Sequence, residues 1–328
     1  MDLTDKTLLI TGIGSFIGLR TTEMALAQGM SVRGLEKPAK AAQEAEARGA
    51  QVVIGQTTDK AALARACEGV DLVFHTESVI DASGDLEYFR AVNVGGTIQT
   101  AEAAKQAGAQ AFVHLSSVMV YGFDYAYQVA EDGALKGENN PFCQTKIESE
   151  TEILKFNDPP QFGVIIIRAG DIYGPGAEVW VMRPLKLMQQ KKFVLINGGR
   201  GIINHVYIDN LIDSIFLALE KEVYGEAFNI TDGCQTTWKE YYLQLAAIGG
   251  MPKPISMPAF LVKKAAQLQS KEANISPEAI PFVTRLHPYS IAKAQRVLGY
   301  QPRVSFDQGL ARTAAWLSTY SDPKFSCE

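Results

Sequence analysis

Short apolar runs alternate with helix-like stretches through the first half of the chain. TLLI (7–10), SVRGL (31–35), QVVI (51–54), DLVFH (71–75), AFVHLS (111–116) and GVIIIRA (163–169) each read as a strand. They are near-continuously apolar, the pattern of strands covered on both faces. Between them lie stretches rich in Ala, Glu and Gln that end at glycine. These are 16–28 before Gly29, 40–48 before Gly49, and 59–68 before Gly69 with Asp59 as an N-cap. This repetition predicts a doubly wound parallel α/β sheet of the Rossmann type.

Beyond residue 170 the pattern loosens. Gly and Pro cluster at 174–176 and 198–201, and a strand–helix–strand unit follows (INHVYI, 210–220, EAFNI). From 233 the chain is mostly helical and punctuated by proline. The pattern predicts a dinucleotide-binding domain, 1–169 plus 202–232, and a smaller, mostly helical substrate lobe, 170–201 plus 233–328. That lobe is expected over the carboxyl ends of the strands, where open α/β sheets bind ligands.

Composition adds exclusions. The 328 residues are 47% hydrophobic and 20% charged, with a formal net charge of −5 and no basic stripe, so a nucleic-acid partner is not expected. The four cysteines, Cys67, Cys143, Cys234 and Cys327, show neither metal-ligand spacing nor a disulfide framework. No apolar run approaches the roughly 20 residues of a membrane span. The opening MDLTDK does not read as a signal peptide. The expectation is a cytoplasmic protein without a metal site or a membrane partner.

The candidate chemistry starts at TGIGSFIG (11–18), between the first strand and the first helix. Gly12, Gly14 and Gly18 allow a tight turn and let backbone approach a pyrophosphate, which the helix N-terminus then attracts. Glu36 closes the second strand 24 positions after Gly12, the distance at which a carboxylate accepts from adenosine ribose hydroxyls. Lys37 beside it would attract a 2′-phosphate that Glu36 repels. NAD is therefore expected, with NADP as the alternative.

With VNVGGT (92–97), VHLSSVMVYG (113–122), Lys146 in PFCQTK, RAGDIYGPG (168–176), NHVYIDN (204–210) and AKAQRVLGYQP (292–302), the chain resembles an extended short-chain dehydrogenase/reductase. Its kind is that of the NAD-dependent epimerase/dehydratases and 3β-hydroxysteroid-dehydrogenase-like enzymes, and the resemblance spans nearly the whole length. It implies hydride transfer between a substrate carbon and nicotinamide. It places Ser117 on the substrate oxygen and Lys146 on the nicotinamide ribose. Gly12, Gly14, Ser15, Phe16, Ile17, Gly18, Glu36, Lys37, Gln56, Thr57, Thr76, Glu77, Ser78, Asn93, Lys146 and Ala169 are its cofactor-facing positions. It also implies a homodimer, paired through 101–107 and the helix around Lys146.

The chain departs from the family at its proton-transfer residue. Four positions before Lys146, where the pattern Tyr-x-x-x-Lys has tyrosine, stands Phe142. A phenyl ring cannot donate a proton, and losing a placed acid–base group lowers rates about 10²–10⁴-fold. Three accounts fit: a deliberate Tyr→Phe change, a natural cofactor-binding protein without catalysis, or a substitute proton donor among Glu77, Tyr121, Tyr125, Tyr127 and Cys143. Retention of Ser117 and Lys146 favours the first. Ser15 also stands for a glycine, Gln56 for an aspartate facing adenine, and Glu77 for a small residue beside the cofactor.

Val118 and Met119 replace the Asp-Glu pair of sugar dehydratases, which disfavours elimination of water. Arg168, Arg183, Lys186 and Arg200 are the basic candidates for a sugar nucleotide's diphosphate, and Arg168 reads as scaffold. Apolar groups dominate the lobe: Trp180, Val181, Met182, Leu185, Leu187 and Met188, then Phe260, Leu261 and Val262. The reaction expected is interconversion of a secondary alcohol and a ketone on a mainly apolar small molecule, impaired by Phe142. A nucleotide-sugar epimerase and a non-catalytic NAD(P)-binding protein are the alternatives.

Overall fold

The apolar runs become parallel strands in a computed structural model, which describes all residues except 39, 81–84, 124, 126, 138–139, 269–279 and 321–328. Cys327 lies outside the described residues. The strands are β1 (Thr7–Thr11), β2 (Ser31–Glu36), β3 (Gln51–Ile54), β4 (Leu72–His75), β5 (Ala111–Ser117) and β6 (Gly163–Ala169). Three short strands follow, β7 (Asp171–Tyr173), β8 (Val194–Ile196) and β9 (His205–Tyr207), then β10 (Glu226–Ile230) and β11 (Ile255–Met257). The main sheet has the order β10-β6-β5-β4-β1-β2-β3, and every pairing in it is parallel.

The connections explain the order. Helices α1 (Phe16–Ala27), α2 (Lys40–Ala47) and α3 (Lys60–Cys67) carry the chain outward through β2 and β3 before β4 returns to pair with β1. Each helix ends at a glycine with positive φ, Gly29, Gly49 or Gly69, where a side chain would be strained. Asp59 caps α3 by accepting from the N–H groups of Ala61 and Ala62. Reversal between β1 and β4 opens a crevice at their carboxyl ends, the usual ligand position in such sheets. A methyl on Gly34 in β2 would lie 2.4 Å from Ile13 Cγ2, so glycine there lets the turn after β1 settle on the sheet.

On the other side of the crevice, α4 (Leu86–Phe89) runs through a wider turn, Arg90–Gly95, into α5 (Gly96–Gln106), and α6 (Pro141–Leu154) packs beside it. Asn140 caps α6 by accepting from the N–H groups of Phe142 and Cys143, with Pro141 in the first turn. The later helices are α7 (Arg183–Gln189), α8 (Ile208–Glu220), α9 (Trp238–Ile248), α10 (Ala259–Leu268), α11 (Ile280–Thr284), α12 (Ala292–Leu298) and α13 (Phe306–Thr319). The C-terminal part is mostly helical, as its proline-broken pattern predicts. The strand–helix–strand unit expected after 200 forms as β9, a helix over 208–220 and β10, and of its two strands only β10 joins the main sheet. β9 pairs instead with β7, and β8 pairs with β11, each in a two-stranded sheet.

A buried polar network fastens β5, β6, β10 and α6 together. Ser116 donates to Glu150 at 2.5 Å, and Arg168 grips the same carboxylate with Nε at 3.0 Å and Nη2 at 2.7 Å. Arg168 Nη1 also donates to the Tyr121 hydroxyl at 2.6 Å, which donates to Asn229 Oδ1 at 2.7 Å. Removing one member of a buried pair strands the other's charge, which costs about 3–5 kcal/mol. Glu150→Ala should lower the urea-unfolding free energy by that amount. Adding Arg168→Met should recover part of it, and two strictly additive losses would argue against a coupled pair.

Candidate functional site

At the carboxyl end of β1 the chain turns through Gly12, whose φ of +67° suits glycine. A methyl on Gly18 would sit 2.5 Å from the Ile13 carbonyl oxygen, so α1 can lie this close to the turn only without a side chain there. Ser15 caps α1, its hydroxyl accepting from Gly18 N–H at 3.1 Å. A serine cap thus serves where the family's middle glycine would stand. Phe16 and Ile17 are half-buried in the first turn behind it.

Glu36 reaches back from the end of β2, its Oε2 accepting from Gly14 N–H at 2.8 Å and its Oε1 from Lys37 N–H at 3.0 Å. The Lys37 side chain is exposed, as is Gln56 beyond β3, while Thr57 is buried against α5. Thr76 donates to Thr11 O at 2.7 Å and holds the end of β4 beside that of β1. Glu77 follows, half-buried, its backbone 3.4 Å from where a methyl on Gly12 would lie. Burial raises its carboxyl above the usual range and the Lys37 charge draws it back down. Glu77 is therefore part of the turn's surroundings, not a surface residue.

Ser78 is half-buried beside Val79, and Asn93 is buried. Asn93 accepts from Val79 N–H at 2.7 Å and donates to Val79 O at 3.1 Å and Thr145 Oγ1 at 3.0 Å, binding the loop after β4 to α6. Thr11, His75 and Thr97 form a buried chain behind it, with His75 Nδ1 2.9 Å from Thr11 and Nε2 3.0 Å from Thr97. Burial, with Lys146 adding repulsion, drives the His75 imidazole down to about 3, so it stays neutral. Sequence reading did not single out His75, because a histidine inside an apolar run looks like any strand residue.

Ser117 ends β5, half-buried and in register with buried Ala169 on β6. Its oxygen accepts from Met119 N–H at 3.2 Å, which leaves its own hydrogen to be donated elsewhere. Lys146 lies 4% exposed on α6 with Nζ donating to Leu115 O at 2.8 Å and 5.8 Å from the Phe142 ring centroid. Burial lowers its ammonium from 10.5 to about 8, a fall only partly offset by Glu150. One of its three hydrogens is committed, so it can still bind an oxygen ligand. Phe142, Lys146 and Glu150 recur every fourth residue and face β5 and β6 together.

The candidate substitute proton donors differ in their surroundings. The Tyr121 hydroxyl is held between Arg168 and Asn229, and burial pushes it up to about 12. Cys143 is buried in the core, and Tyr127 is exposed. Tyr125 packs on Tyr289, ring centroids 5.3 Å apart, and burial raises its hydroxyl. Arg168 is engaged by Glu150 as scaffold, while Arg183, Lys186 and Arg200 are exposed. In the C-terminal part, Trp180, Trp238 and Phe282 converge around a cavity that no sequence spacing announced.

The sequence model of the NAD dependent epimerase/dehydratase family matches residues 8–231. The chain is 29% identical over 316 residues to a 4-hydroxy-2-methyl-3-oxo-4-farnesyl-3,4-dihydroquinoline-1-oxide ketoreductase of Stigmatella aurantiaca, covering 92% of this chain and 93% of that protein. It is 27% identical over 339 residues to a 3-beta-hydroxysteroid dehydrogenase of Mycolicibacterium neoaurum, covering 96% and 92%. Among solved structures, a UDP-glucose 4-epimerase of Thermotoga maritima superposes with a TM-score of 0.79 at 20% identity, over 95% of this chain and 99% of that one. At that identity the likeness is one of fold.

The lowered Lys146 ammonium has a consequence for stability. Below pH 8 folded and unfolded chains both carry the charge, and the folded chain bears its burial. Between about 8 and 10.5 the folded lysine loses its proton while the unfolded one keeps it, so stability rises with pH. The native protein should gain on a Lys146→Met variant across that window in denaturant melts from pH 7 to 11. Parallel curves would mean that Lys146 titrates as an ordinary lysine.

Proposed function

The chain belongs to the NAD dependent epimerase/dehydratase family, and from that premise we propose that it interconverts a secondary alcohol and a ketone on a mainly apolar small molecule. The observation that carries this reading is Ser117, with an uncommitted hydroxyl hydrogen, two residues from the Leu115 carbonyl that anchors Lys146. The names of the two relatives, a ketoreductase of a farnesylated quinoline and a hydroxysteroid dehydrogenase, support the apolar substrate class. The aromatic cavity of the C-terminal part supports it as well. We assign the substrate lobe to 170–201 plus 233–328 and the dinucleotide domain to 1–169 plus 202–232. A homodimer and a cytoplasmic location complete the proposal; among the described residues no helix is long and apolar enough to cross a membrane.

The residues around the glycine turn fit the dinucleotide. The α1 N-terminus, capped by Ser15 in the glycine turn, would take the pyrophosphate, Glu36 beside Gly14 would take the adenosine ribose, and Lys146 keeps two hydrogens for the ribose near nicotinamide. NAD, when bound, accepts or supplies the hydride. Ser117 donates a hydrogen bond to the substrate oxygen, where charge changes during reaction. Lys146 holds the ribose and keeps a positive charge beneath the site. Phe142 occupies the place of the acid–base group, shapes the site through its ring and contributes no proton.

Glu36 and the half-buried Glu77 both oppose a 2′-phosphate, and the exposed Lys37 favours one. In a tryptophan-fluorescence titration NADH should bind more tightly than NADPH, and Glu36→Gln should narrow the gap. Equal affinities for the native chain would overturn this assignment. Phe142→Tyr should raise kcat/KM on hydrophobic ketones by about 10²–10⁴-fold. Tight NADH binding with no turnover in Phe142→Tyr on any ketone or alcohol would instead establish a cofactor-binding protein without this chemistry.

A further inference from the structure

The apolar run Phe260–Leu261–Val262 divides at the start of α10. Val262 turns inward and is buried in a cluster with Ile196 and Ile280. Asn197 fixes the start of the helix, its Oδ1 accepting from Ala259 N–H at 2.8 Å. With roughly 3.6 residues per turn, Phe260, Leu261, Lys263 and Lys264 then share the arc opposite Val262. All four are exposed, Phe260 at 67% and Leu261 at 42%. Leu286, 64% exposed, extends this face: with Arg200 it lines an open hollow that also includes Pro258, the residue before α10.

Charge on this face runs against that of the whole chain. Residues 251–268 carry Lys253, Lys263 and Lys264 and no carboxylate, in a protein of net charge −5. These lysines and Arg200 are exposed, and none of them is in an ion pair among the described residues. A single exposed leucine is ordinary, but a phenylalanine and two leucines grouped among unpaired cations mark an interaction surface. A second copy seated on the same patch would set the cations of one chain against those of the other. A bilayer containing anionic lipid answers both chemistries, since its headgroups take the cations and its acyl boundary takes the apolar side chains.

We propose that this face, Phe260, Leu261 and Leu286 with Lys263, Lys264 and Arg200, docks on a membrane surface that contains anionic phospholipid. The cations orient the approach, and the ring and the leucines enter the headgroup boundary. A contact of this kind is peripheral and needs no spanning segment. Neither NADH binding nor turnover enters its test, so it stands or falls apart from the hydride-transfer reading.

The full chain would be sedimented with vesicles of phosphatidylcholine alone and of phosphatidylcholine with about one quarter phosphatidylglycerol. It should partition onto the anionic vesicles and not onto the neutral ones, and added salt should weaken the binding by screening the headgroups. Lys263→Gln with Lys264→Gln should lower the partition constant about 25-fold, from roughly fivefold for each cation near the surface. Phe260→Ser with Leu261→Ser should lower it about tenfold or more on the same vesicles. All four side chains are exposed, and an unchanged melting temperature checks that each variant folds. No binding to anionic vesicles, equal binding to both kinds, or binding that either double substitution leaves unchanged would overturn the proposal. So would a dimer that these substitutions dissolve, because the face would then belong to a second copy of the chain. The lipid and salt comparisons use the native protein and decide the matter even if a variant fails to fold.

Discussion

A methyl group on Gly18 would sit 2.5 Å from the Ile13 carbonyl oxygen and 2.7 Å from that of Gly12, and one on Gly34 would strike the Ile13 side chain. This close approach of α1, the turn after β1 and the face of β2 is the constraint on which the rest depends. It sets the helix N-terminus at the carboxyl end of β1. Because β4 then returns to the other side of β1, the same turn borders the crevice. Thr76, Glu77 and Glu36 come within reach of it only through that juxtaposition.

Across the crevice, α6 couples the interior to the site. Glu150, at its buried end, is shared by Ser116 and Arg168, so its charge is largely spent on that bridge. Lys146, one turn earlier, receives only part of it, and burial dominates: the ammonium falls to about 8. Burial, and the proximity of Lys146, keep His75 and His114 neutral behind it. The result is a buried ammonium anchored on the Leu115 carbonyl, beside imidazoles that add no positive charge of their own. Phe142, one further turn toward the N-terminus, brings a ring to this face and no acid.

The aromatic lobe is built from distant parts of the chain. Trp180 follows β7, Trp238 opens α9, and Phe282 lies on α11. Their side chains touch because β9 pairs with β7 and β8 with β11, which folds the C-terminal segments back over the loop after β6. The small sheets thus decide where the apolar surface of the lobe is collected, and Arg183 and Lys192 at its edge follow from the same packing.

The sequence by itself determined the parallel sheet, the glycine turn and the placing of Glu36, since these depend on local apolar runs, on glycine at positive φ and on spacing along one strand–helix–strand unit. It also located Ser117, Phe142 and Lys146 through family motifs, and it identified Arg168 as scaffold. Only the tertiary structure decided that INHVYI leaves the main sheet for β7, because apolar periodicity records burial and not the partner. Likewise the burial of Glu77, the bridge of Glu150 to Arg168 and the meeting of Trp180 with Trp238 are contacts between elements. Their energies depend on three-dimensional proximity, and separation along the chain carries no record of that.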